Sequence, residues 1–197
     1  MSKYKTVTEF VEVETPPSKG SRFIGFANHT PTIDSAVAFI ESVKSKHPRA
    51  SHHTFAWLVD SQTSRVSDDG EPKGTAGRPI FDRIKGLGLS QTTVVVVRYY
   101  GGTKLGTGGL VRAYGSAASA VLEAALIIEK EVLHTISLTC PYELEGPIRG
   151  AIKEHKGEIT EINWSDNVSL KIGVTKKLQL DLKSSLSELG AGKITFE

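Results

Sequence analysis

The strongest hydrophobic signal in the chain is Val94–Val97, four β-branched apolar residues in succession, which predicts a strand buried on both faces. Two tyrosines and a glycine pair end it, and five of the nine positions from Gly101 to Gly109 are glycine. Beyond them Leu110, Val111, Tyr114, Ala117, Ala118 and Val121 recur at helical spacing, predicting a helix from about Gly109 to Ala125. Its many alanines, glycines and serines suit close packing on a sheet. A strand, a glycine loop and a helix thus follow one another in the middle of the chain.

Upstream, Val7, Phe10, Val11 and Val13 alternate loosely and predict a first strand over Tyr4–Val13, ended by Thr15-Pro16-Pro17. A turn around Lys19-Gly20 leads into a second strand, Phe23–Ala27, as in a hairpin. From Thr32 to His47 the apolar residues Ile33, Ala36, Val37, Ile40 and Val43 hold a helical period between Pro31 and Pro48. His53–Asp60 reads as a third strand. Ser61–Pro79 is a polar connection, and Pro79 opens a short helix with Ile80, Ile84 and Leu87 on one face. After a strand from about Val132 to Cys140 the order becomes helix 143–155, strand 158–164, strand 168–174, helix 176–189 and strand 193–196. That β-α-β-β-α-β succession is the ferredoxin-like one, with turn residues at Gly157, Asp166-Asn167 and Gly190-Ala191-Gly192.

Composition changes this picture little. With 197 residues, 39% of them apolar, the chain can bury a proper core in one large or two small domains. The formal net charge of +2 means that affinity for a polyanion has to come from a local patch. Cys140 stands alone, so no internal disulfide forms, and no apolar run reaches the roughly 20 residues of a membrane span. The N-terminus lacks the apolar core of a signal peptide. A cytoplasmic protein without a membrane partner is expected.

The glycine loop carries the candidate chemistry. Glycines admit a ligand close to backbone N–H groups, and the start of the next helix carries partial positive charge. Arg98, Lys104 and Arg112 lie in or beside the loop, and Lys73 and Arg78 lie in the polar connection. These five, with Gly101, Gly102, Gly106, Gly108 and Gly109, are the candidate phosphate ligands. Tyr99 and Tyr100 are candidates for base stacking, though strand alternation turns only one of them to a site. The P-loop pattern fails here, and the dinucleotide fingerprint meets Val111 where Gly or Ala is needed. Asp68, Asp69 and Glu71 place three carboxylates within four residues. They suit either a Mg²⁺ ion beside a phosphate or an ordinary turn, and both readings stand at this point. The adjacent His52 and His53 point to opposite faces of a strand and lack companions for a zinc site.

DDGEPKGTAGRPI at Asp68–Ile80 and VVRYYGGTKLGTGGLVRAYGSAA at Val96–Ala118 closely resemble the IMPACT family, its bacterial YigZ-like members in particular. The resemblance covers the whole chain. It implies an α+β protein of two domains. Residues 1–133 would form an α+β sandwich similar to the second domain of a small-subunit ribosomal protein, and residues 134–197 a ferredoxin-like domain similar to a late domain of elongation factor G. Eukaryotic relatives are translation regulators that compete for a partner of an initiation-factor-2 kinase and carry an extra N-terminal domain. This chain begins almost at the motif domain, so the kinase role is not expected of it. The expected function is translation-associated RNA or ribosome binding without catalysis, or binding to a translation-related protein. The alternative is a Mg-dependent enzyme acting on a phosphorylated or nucleotide substrate.

Overall fold

A computed structural model describes residues 3–197 and divides them into two compact units, Tyr4–Lys130 and Glu131–Glu197, the second also taking in Lys3. Both α-helices and β-sheets are present in each, as an α+β protein requires.

The N-terminal unit is built on a five-stranded antiparallel sheet. Its strands are β2 (Val11–Ser18), β3 (Ser21–His29), β4 (His52–Leu58), β5 (Ser64–Ser67) and β6 (Thr92–Tyr99), in the spatial order β2-β3-β6-β4-β5. The valine run lies in the central strand β6, and it is buried on both faces. Alternation decides what each face meets. Val95 and Val97 pack with Ile24 and Phe26 against Phe39, Ile40 and Val43 of α1 (Ile33–Lys46). Val94 and Val96 pack with Phe23 and Ala27 against α2 (Gly77–Gly86) and α3 (Thr107–Ala124). Helix α1 starts where its sequence permits: Thr32 and Ser35 form a reciprocal capping box, and Lys44 and Lys46 complement the dipole at its end. The small residues of α3 bring it down onto β3, where a Cβ at Gly25 would stand 2.8 Å from Ala117 O.

Several expected boundaries move. The first predicted strand is two, β1 (Lys3–Val7) and β2, and β2 continues through Pro16 and Pro17. It is an edge strand with a register shift between Thr15 and Ser18, a place where missing amide donors are tolerated. The polar connection contains β5, whose sequence SRVS shows no apolar alternation and which exists by pairing with β4. β7 (Ile127–Glu131) pairs with β1 in a separate two-stranded sheet. Helix α2 begins two residues before Pro79, with Ile80 and Ile84 buried, while Leu87 is 45% exposed and leaves the expected face. Val111 likewise lies outside the packed stripe of α3.

The C-terminal unit comprises β8 (Leu133–Cys140), α4 (Glu145–Glu154), β9 (Glu158–Trp164), β10 (Val168–Thr175), α5 (Lys176–Gly190) and β11 (Thr195–Phe196). Its antiparallel sheet runs β11-β8-β10-β9, the ferredoxin-like order. Ile136, Leu138, Leu170 and Ile172 alternate inward onto Ile148, Ile152, Leu182 and Leu186 of the two helices. The helix expected to start at Glu143 opens with a 3₁₀ turn, Tyr142–Leu144, before α4. Cys140 is buried in this core, and burial pushes its thiol pKa up.

Candidate functional site

Two segments far apart in sequence meet in the N-terminal unit. Glu71 and Pro72 from the β5–α2 connection line one cavity of about 550 Å³ together with Arg98, Tyr100, Lys104 and Gly106 from the end of β6 and the glycine loop. At its base Arg98 Nη1 lies 2.5 Å from Glu71 Oε1, and both side chains are about 95% buried. The Tyr114 hydroxyl, from inside α3, donates to the same oxygen at 2.6 Å. Burial and then the Glu71 hydrogen bond push the Tyr114 pKa far up, which keeps that proton in place. Arg98 Nη2 also donates to Ser21 Oγ at 3.2 Å, tying β3 into the cluster. One ion pair therefore joins the acidic loop, the central strand, the β2–β3 hairpin and α3.

The rim of the cavity is cationic. α3 starts at Gly106, a residue of φ +75° without a capping side chain, and no acidic residue occupies its first turn. Leu110 N–H reaches back to Gly106 O, so the N–H groups before it have no partner within the helix. Lys104 is exposed beside them and makes no ion pair among the described residues. Tyr100 is 48% exposed with the Arg98 guanidinium 5.3 Å from its ring centre. On the other side of Leu105 and Gly109 a second cavity of about 440 Å³ opens between the β2–β3 hairpin and α3, and Lys19 and Arg112 line it.

The sequence-derived candidates separate on this geometry. Tyr99 lies on the opposite face, where its hydroxyl meets His47 Nδ1 at 2.9 Å, leaving Tyr100 as the tyrosine at the cavity. Arg78 is exposed on α2, where it pairs with Asp82 at 2.8 Å, and neither it nor the exposed Lys73 lines either cavity. Gly101 lies against the backbone of Gly20 and Ser21, and Gly102 has φ +85°, so both shape the turn. Gly109 faces the second cavity, and the Gly108 Cβ position is 3.7 Å from Arg112.

The three carboxylates of the acidic loop take separate partners. Asp68 accepts from the N–H groups of Gly74, Ala76 and Gly77 at 2.7–3.0 Å. Asp69 accepts from His53 N–H at 2.6 Å, and Glu71 is taken by Arg98 and Tyr114. Among the described residues no three His, Cys, Asp or Glu side chains converge as a metal set. For Asp68 burial alone would raise the pKa, but the three amides outweigh it and hold the carboxyl below its usual range. Its stabilising contribution is therefore complete above the unfolded value of about 3.9 and is lost as pH falls through the lower folded value. Asp68→Ala should cost about 1–2 kcal/mol at pH 7, and the gap to the unmodified protein should narrow in urea unfolding at pH 3.

His52 and His53 point apart, as adjacent strand residues must. His52 donates from Nδ1 to Asp69 O at 2.8 Å and presents Nε2 to the cavity, 3.7 Å from Glu71 Oε1. His53 donates from Nε2 to His47 O on the other face. His52, Ser21 and Tyr114 were not among the candidates from sequence. Alternation marked His52 as half of a pair with one inward member, whereas Tyr114 resembled any other core residue of a helix.

Comparison with known proteins places this geometry in a family. Residues 19–122, which include both cavities' principal residues, match the family model described as the Impact N-terminal domain. The chain belongs to the IMPACT family. Residues 138–193 match a second model, described as a domain of unknown function, DUF1949. The IMPACT family member YigZ of Escherichia coli is 38% identical over 180 residues, covering 89% of this chain and 88% of that protein. The IMPACT family member YvyE of Bacillus subtilis is 34% identical over 195 residues, covering 98% and 89%. A solved structure described as a hypothetical protein shares the fold with a TM-score of 0.78 and 36% identity, covering 100% of this chain and 97% of that one. No helix of the described residues is long and apolar enough to cross a membrane.

Proposed function

We propose that this IMPACT-family protein binds RNA, as a translation-associated factor, through the phosphate backbone along the start of α3. The observation that carries the reading is the uncapped N-terminus of α3 between two cavities, with Lys104 on one and Arg112 with Lys19 on the other. A helix N-terminus with flanking cations suits a phosphate, and two cationic cavities side by side suit consecutive phosphates better than a single small anion. Arg98 contributes shape rather than net charge, because Glu71 neutralises it. Tyr100 offers a ring face for a base.

The reading is tested by fluorescence anisotropy with a single-stranded RNA over a series of salt concentrations. Binding should weaken steeply with salt, and Lys104→Ala combined with Arg112→Ala should reduce the slope by about 2, one for each phosphate that is no longer neutralised, with equal effect on unrelated sequences. An unchanged slope in the double variant overturns the reading.

A further inference from the structure

The cavity at Glu71 has two unlike ends, and the difference between them specifies more than a phosphate. Its outer end holds the α3 N-terminus and Lys104, while its inner end holds a buried carboxylate. An anion is attracted to the first, whereas the second is a neutralised ion pair that offers it no net charge. Glu71 Oε1 receives Arg98 Nη1 and the Tyr114 hydroxyl, yet Oε2 accepts no hydrogen bond among the described residues. Arg98 is 4% exposed, and its Nε is a buried donor without a partner. Buried polar groups are ordinarily satisfied, so this ion pair is not closed on itself. Glu71 lines the cavity with Oε2 as a free acceptor, a place for a neutral group that donates a proton and is delivered by something whose phosphate sits at the other end. Within a nucleic-acid strand the sugar is the part joined directly to the phosphate, and the 2′-hydroxyl is the sugar's donor within the chain. The cavity volume of about 550 Å³ falls in the range of small-ligand sites, and Tyr100 lies on its wall to face the base.

We infer that this cavity holds one nucleotide of the bound strand and reads its 2′-hydroxyl through Glu71 Oε2, so that the protein selects RNA over DNA. The inference rests on the RNA-binding reading above and adds a basis for discrimination that phosphate contacts cannot supply. Lys104 and the first turn of α3 seat the phosphate, Tyr100 carries the base, and Glu71, held by Arg98 and Tyr114, accepts from the sugar. A DNA strand leaves Oε2 without its donor.

The test uses the unmodified full chain and three strands of one sequence, with ribose, 2′-deoxyribose and 2′-fluororibose sugars, in the same anisotropy assay. A hydrogen bond to a charged acceptor corresponds to a preference of roughly ten- to a hundredfold, so RNA should bind that much more tightly than DNA. The 2′-fluoro strand, which keeps an RNA-like sugar but has no donor, should fall to the level of DNA. Glu71→Gln, checked for a native fold by circular dichroism, should narrow the gap between RNA and DNA. Equal binding of RNA and DNA, with the steep salt dependence retained, overturns this inference and leaves the RNA-binding reading standing. Binding of the 2′-fluoro strand as tightly as RNA also overturns it. Absence of binding to all three strands overturns both readings.

Discussion

Arg98→Met should destabilise the N-terminal unit by about 3–5 kcal/mol, the usual cost of removing one partner from a buried ion pair. The side chains of Arg98 and Glu71 are 5% and 4% exposed, so the carboxylate left behind would be desolvated with only Tyr114 as a close donor. The thermal midpoint should fall by roughly 10–15 °C. The informative companion is the double variant Glu71→Met with Arg98→Met. Two apolar side chains of similar length replace the whole pair and leave no buried charge, so the double variant should be more stable than Arg98→Met alone. Urea unfolding followed by circular dichroism measures both. If the two variants are equally unstable, the loss comes from packing around Phe23 and Tyr100, whose rings lie 5.6 and 5.3 Å from the guanidinium, and the ion-pair account fails.

Gly101→Ala should cost about 3 kcal/mol, and its neighbour shows why. A Cβ on Gly101 would lie 2.0 Å from the carbonyl carbon of Gly20 and 2.4 Å from Ser21 N. Those are backbone atoms of the β2–β3 turn, so no side-chain rotation relieves the clash and the strands themselves must shift. Gly102 faces open space but holds φ +85°, so Gly102→Ala costs only the strain of a left-handed residue, about 1 kcal/mol. The same unfolding experiment on the two single variants should rank Gly101→Ala well below Gly102→Ala in stability. The reverse order would mean that the turn conformation, and not the approach of the hairpin, makes this glycine pair necessary. Because Ser21 Oγ accepts from both Gly101 N–H and Arg98 Nη2, displacement of the hairpin would also loosen the cavity wall.

Much of the frame was legible because its signals are periodic. The valine run specifies a strand covered on both faces, and the structure places it at the centre of the sheet between α1 on one side and α2 with α3 on the other. The prolines around α1 were equally local, and the spacing of strands and turns after Leu133 sufficed for the ferredoxin-like order. Elements without a period were not legible. β5 is four mostly polar residues, and pairing with β4 alone makes it a strand. The prolines of β2 read as a stop because the sequence does not say that this strand lies at an edge.

The candidate site shows the same division at finer scale. The sequence by itself determined that a glycine loop opens a helix beside several cations, since the residues concerned are neighbours along the chain. The tertiary structure decided which of them face one space: Lys104 and Tyr100 do, Arg112 lines the adjoining cavity, and Arg78 is held on α2 by Asp82. It also decided the fate of the acidic cluster. Asp68, Asp69 and Glu71 look alike in sequence, but a carboxylate takes whatever donors surround it, and here those are loop amides, a strand amide and Arg98 with Tyr114. A hydrogen-bond partner 27 or 43 positions away leaves no periodic trace in the chain. Only the crossing of the acidic loop over the end of the central strand brings Glu71 to Arg98, and with it creates the cavity.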